Sequence, residues 1–200
     1  GNIANSSLGA VTALPAAIAT GAMVKLSTQT ASSSSTISFT SGIDSTYKHY
    51  IFYFADIHGS GDGVDLKFQV STDGGSSYGV TCTTAEFLNY NNEAGSDSAL
   101  SNNGNHDLSQ STSFMQLSQD IGAGEADQCA SGMLHLFNPS STTFVKHYLS
   151  RFNNYHDSNY SMSNNGSGYF NTTSAINAVQ FKMSTGTMDS GTITLYGVTT

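Results

Sequence analysis

The sequence predicts an all-β protein, an antiparallel β-sandwich of jelly-roll type preceded by an extended N-terminal arm. Three observations predict it. From Met23 onward, apolar residues recur mainly with a period of two. Runs rich in Gly, Asn, Ser and Asp separate the alternating stretches at roughly the 8–12-residue spacing of sandwiches and barrels. No stretch carries a convincing helical repeat of useful length. At 200 residues, with 38% hydrophobic residues, 10 Tyr and 11 Phe, the chain holds enough apolar material for one well-cored domain. Disordered chains lack such aromatic content. The chain divides into an arm, residues 1–22, and a β-domain, residues 23–200.

The arm contains no charged side chain and one of the two prolines, Pro15. Ile3, Leu8, Val11, Leu14 and Ile18 have loosely helical spacing, yet Gly9 and Pro15 oppose a stable free helix. The expectation is a docking arm that orders against a neighbour, because exposed apolar residues gain from being covered.

The strands follow in order. "MVKLST" and "STISFT" flank the polar run 29–34. "KHYIFYFADI" is a long aromatic strand suited to the middle of a sheet. "VDLKFQVST" alternates, with Val64, Leu66, Phe68 and Val70 inward and Asp65, Lys67 and Gln69 outward. "DGGSS" supplies turn residues that tolerate positive φ. "GVTCTTAEFLNY" reads as one or two strands. Residues 91–111 read as a polar loop. "TSFMQLS" is a strand whose spacing also admits a helix. "SGMLHLFNP" and "TFVKHYLSRFN" flank the turn "NPSST". "NYSMSNNGSGYFN" reads as a strand with an internal break, and "INAVQFKM" and "TITLYGV" close the chain.

Charge excludes some partners. Only 10% of residues are charged, and the formal net charge is −8. The six basic residues are scattered, so no basic patch exists to displace counterions from nucleic acid or to hold an anionic membrane. No basic-plus-apolar leader is read at the start, and "GAVTALPAAIATGAM" is too interrupted to span a bilayer. Cys82 and Cys129 are expected as free thiols.

No catalytic residue, metal site or cofactor is predicted. The six histidines form no short metal-binding spacing. His135 and His147 are the one cross-strand pair considered, and two polar residues on a wet face account for them. "DIHGSGDGVD" does not follow the order of a calcium loop and reads as a plain loop. "HDL" and "YHDSNY" place His beside Asp, but neighbours on a strand point to opposite faces. Glu86, Glu93 and Glu125, the only glutamates, are read as lying in or near loops, with no facing pair for glycoside hydrolysis. The aromatic–amide runs "FLNYNNEAG" and "FNNYHDSNYSMSNNGSGYF" are different. Tyr90, Asn91, Tyr155, Asn159 and Tyr160 have the ring faces and amides that contact sugar or protein, and are candidate recognition loops.

The stretches "LSTQTASSSSTISFTSGIDSTYKHYIFYFADIH", "LKFQVSTDGGSSY", "GMLHLFNPSSTTFVKHY" and "GYFNTTSAINAVQFKMSTGTMDSGTITLYGV" resemble the small virion β-sandwich proteins of marine tailed bacteriophages, including cyanophages. The similarity runs from about Leu26 to Val198, and "SGTITLYGV" with "INAVQFKMSTG" is its most specific part. The resemblance implies a virion structural protein, an accessory or decoration subunit anchored by its arm. The alternative it implies is a tail-fibre or receptor-binding tip that recognises host surface glycans. It offers no catalytic residues. Assembly in the host bacterial cytoplasm, contacts to other capsid or tail proteins, and a homotrimer are expected on the same footing.

Overall fold

A computed structural model describes residues 22–102, 104 and 106–199. The predicted arm residues Ile3, Leu8, Val11, Leu14 and Ile18 lie outside the described residues. Twelve strands follow one another, and no helix occurs among the described residues. They are β1 (Met23–Thr30), β2 (Ile37–Phe39), β3 (His49–Gly59), β4 (Val64–Ser71), β5 (Cys82–Asn92) and β6 (Ser98–Asn102). The second half comprises β7 (Met115–Ile121), β8 (Ala130–Phe137), β9 (Lys146–His156), β10 (Tyr160–Phe170), β11 (Ala178–Met183) and β12 (Met188–Val198).

Every pairing is antiparallel. A long wall runs β1-β12-β3-β8-β9-β10-β5-β6. A short wall runs β7-β4-β11-β2. One pair, Ile121↔His156, joins the walls on one side. On the other side the chain itself crosses from β1, whose pairing with β12 the Ser34↔Met188 bridge continues, to β2 at the edge of the short wall. The sheet therefore nearly closes into a barrel, with two thin seams. Register shifts near Asp56, which has φ 57°, kink β3 against β8 and β12. Bulges of this kind let a long strand bend around a core.

Alternation explains the core. Tyr50, Phe52 and Phe54 on β3 face Phe39 on β2 and Phe181 on β11, with Phe39–Phe52, Phe52–Phe181 and Phe54–Phe181 ring centroids 5.3, 5.2 and 5.0 Å apart. Phe68 on β4 meets Tyr148 on β9 at 5.0 Å, edge to face. Gly168 on β10 makes room for Tyr148, since a Cβ there would stand 2.7 Å from the Tyr148 ring. Where β7 meets β9 and β10 the contact turns polar. Ser118 Oγ lies 3.0 Å from Asn154 Oδ1, which accepts from Asn164 Nδ2 at 2.9 Å.

The structure corrects several expectations. The polar run 91–111 is not all loop: β5 extends to Asn92 and β6 pairs with it. β10 has no internal break and pairs with β5 and β9 along its whole length. Gln69 is fully buried, because segments around Val80 and Thr112 cover that face of β4; its Nε2 donates to Val80 O, Thr112 O and Ser113 O. "TSFMQLS" forms strand β7. Val64, Leu66, Phe68 and Val70 point inward as predicted. Both cysteines are free, and burial pushes the Cys82 thiol up to about 11.

Candidate recognition site

The five predicted recognition residues meet at one end of the β9-β10-β5 ladder. Register does this. Tyr160 pairs with both Asn92 and His156, Ser161 with Asn91 and Tyr155, and Met162 with Tyr90. Asn159 sits in the β9–β10 turn with φ 66°, a conformation that Asn tolerates better than most residues. Tyr155 OH donates to Asn159 Oδ1 at 2.9 Å. The Tyr90 and Tyr160 rings meet edge to face at 5.4 Å, and the His156 ring lies 5.5 Å from Tyr160. Tyr160 OH donates to Asp97 Oδ2 at 3.1 Å.

The β5–β6 turn is locked from within. Asn92 Oδ1 accepts from the backbone N–H of Ser96 and of Asp97, at 2.9 and 3.1 Å. Glu93 N–H donates to Asn159 O at 3.1 Å, tying this turn to the β9–β10 turn. Two open depressions flank Tyr160. One, of about 370 Å³, is lined by Asn91, Glu93, Asp127, Asn153, Tyr155 and Ser161 among others. The second, of about 270 Å³, is lined by Tyr90, Asp97, His156, Ser158, Tyr160 and Met162.

The electrostatics are acidic. Among the described residues, no Lys or Arg lines either depression. The hydrogen bond to Asp97 is the main cause that raises the Tyr160 hydroxyl above the ordinary tyrosine value, and burial, then Glu93, raises that of Tyr155. Both phenols therefore stay protonated donors at neutral pH. Burial, with Asp65 adding to it, raises the Asp120 carboxyl, while His156 opposes the shift from 3.6 Å. The end of the ladder thus presents aromatic rings, amides, phenol donors and carboxylate acceptors.

The adjacent His156 and Asp157 do meet, contrary to the strand-alternation argument. His156 Nδ1 lies 2.8 Å from Asp157 Oδ1, because Asp157 stands just beyond the end of β9 and no longer alternates. Glu86 is not in a loop: it lies within β5, buried, and its backbone N–H donates to Asp107 Oδ1 at 2.7 Å. The contribution of Glu93, Asp97 and Asp127 was hidden in sequence inside runs of turn residues.

His135 and His147 share a face but are offset, since His135 pairs with Leu149 and His147 with Phe137. The partner of His135 is His49, with Nε2 of His49 2.9 Å from Nδ1 of His135 and the rings stacked at 5.0 Å. Among the described residues, no three of His, Cys, Asp and Glu gather as metal ligands.

No protein-family model matches this chain, and neither the curated proteins nor the solved structures gave a match. Function therefore rests on the residues themselves.

Proposed function

We propose that this chain is a structural protein of a tailed-bacteriophage virion, an accessory or decoration subunit on the particle surface. In this reading it is a jelly-roll-like sandwich held in place by its N-terminal arm, and it works as a homo-oligomer, expected to be a trimer, among other capsid or tail proteins. The observation that carries the reading is the outer face of the long wall, where Tyr53, Phe87, Met133 and Leu149 are exposed together. A contiguous apolar patch on a folded domain marks a surface built for contact. The test is incorporation of a chain lacking residues 1–22 into particles. Loss of incorporation, with the domain still folded, is expected; normal incorporation would sink the arm-anchored reading.

A second reading is favoured by the gathering of Tyr90, Asn91, Tyr155, Asn159 and Tyr160 around two depressions. Here the protein is a receptor-binding tip for host surface glycans. Tyrosine faces stack on sugar rings, and amides and carboxylates hydrogen-bond hydroxyls. The acidic lining favours neutral over acidic sugars. Binding of neutral host glycans that Tyr160→Ala abolishes would support it. Equal binding by wild type and Tyr160→Ala would remove it.

A further inference from the structure

The long wall has an outer face of unusual charge. Cross-strand pairs share a face, so the register identifies its members. Met23, Val198, His49, Phe137, His147 and Tyr169 form one row across six strands. The next rows carry Ile51, Tyr53, Met133, Leu149 and Phe87. These rows contain no Asp or Glu, and their only charged residues are Lys25 and Arg151; the acidic strand positions Asp56, at the β3 bulge, and Asp189, at the start of β12, lie beyond them. Yet the chain carries 14 acidic residues and a formal net charge of −8. Six of the seven large apolar side chains left exposed among the described residues lie on this face: Met23, Tyr53, Phe87, Leu100, Met133 and Leu149. Two adjoining grooves of about 450 Å³ each run along it and share Leu149 and Ser167.

We propose that this face is the seat of residues 1–21 of a neighbouring copy, so that arms exchanged between copies tie the subunits together. The proposal rests on the docking-arm part of the proposed function and names the surface that receives the arm. It does not depend on the virion.

Four observations favour that occupant. The arm sequence has no charged side chain, matching rows that carry no carboxylate. An acidic protein gains most from meeting its own copies where acid is absent, since like charges facing one another cost free energy. The arm joins the sheet at Met23, in the outermost row of this same face. Length is sufficient: 21 extended residues reach about 70 Å. Eight strands about 4.8 Å apart span only about 34 Å.

The experiment is sedimentation of the purified full chain beside Leu149→Glu and a chain lacking residues 1–21. Leu149 is 52% exposed, so the charge is tolerated by the fold. Among the described residues the core side chains run from Ala31 to Leu195. The full chain is expected to form oligomers. Both variants are expected to dissociate at least tenfold more readily, with thermal melting of the core unchanged. A second measurement identifies the source of the arm. In a Cys129→Ser background, Val11→Cys and Leu149→Cys chains are mixed and oxidised, and a disulfide-linked heterodimer is expected. A monomeric full chain, or Leu149→Glu associating like wild type, would overturn the proposal. So would a doubly substituted chain that closes only within itself. If oligomers form by the arm but the protein is absent from particles, the virion reading fails and this inference stands.

Discussion

Phe181 is the point at which the two walls are pinned, and removing its ring measures that. The residue is fully buried on β11. Across the core it meets Phe52 and Phe54 of β3 at 5.2 and 5.0 Å, with interplanar angles of 67° and 88°. Among the described residues β11 pairs only with β2 and β4, so these contacts, not hydrogen bonds, couple it to β3. Truncating a buried Phe to Ala costs about 3–5 kcal/mol. Each edge-to-face pair adds about 0.5–1.5 kcal/mol beyond area. Phe181→Ala is therefore expected to cost about 4–5 kcal/mol in urea unfolding. At about 2–4 °C per kcal/mol for a domain of this size, Tm falls by about 8–20 °C. A double-mutant cycle with Phe54→Ala is expected to return a coupling of about 1 kcal/mol. Phe144→Ala, at a side chain 69% exposed, is the control and stays within about 0.5 kcal/mol. A loss under about 1.5 kcal/mol for Phe181→Ala, or simple additivity with Phe54→Ala, would refute the pinned-wall argument.

Three further outcomes are expected. Lys146 is fully buried, and its Nζ donates to Thr172 O at 3.1 Å and Ser174 O at 2.6 Å; Lys146→Met strands both carbonyls and is expected to cost about 2–4 kcal/mol by chemical denaturation. Gly132→Ala drives a Cβ to 2.6 Å from the Phe152 ring, so a loss of about 1–3 kcal/mol is expected, and an unchanged Tm would show that β8 and β9 can part freely. Burial holds the His49 and His135 imidazoles below the usual value of 6.5, so the unfolded chain takes up protons first as pH falls. Their contribution is full above about pH 7 and is lost as pH drops through 6.5 toward the lower folded values. Melting curves from pH 7.5 to 5 should fall for wild type and flatten for His49→Gln.

Much of this was legible in sequence because strands announce themselves by side chains. β3 and β4 alternate cleanly, and Asp73–Gly74–Gly75 marks its turn, where both glycines have positive φ. β6 was not legible. "SALSN" is wholly exposed and has no apolar period, so backbone pairing with β5 alone defines it. Gln69 misled for the opposite reason: alternation states which face a residue occupies, not whether distant chain covers that face. The recognition cluster was half legible. Tyr and Asn stood out within their runs, while Glu93, Asp97 and Asp127 needed the register of three strands to join them. His49 and His135 lie 86 residues apart, and only the β3–β8 pairing brings them together.

The position of β1 has a mechanical consequence. Among the described residues it is an edge strand joined to β12 alone, and Met23 pairs with Val198, so the two ends of the described chain emerge side by side. Tension applied through the arm would open that pairing like a zipper, one rung after another from Met23 toward Thr30, and not shear all rungs together. No residue of β1 is fully buried, so the aromatic interior would stay intact while the strand peeled. A subunit tethered in this way would have a built-in shock absorber: the anchoring strand lengthens under load before the domain it holds begins to yield.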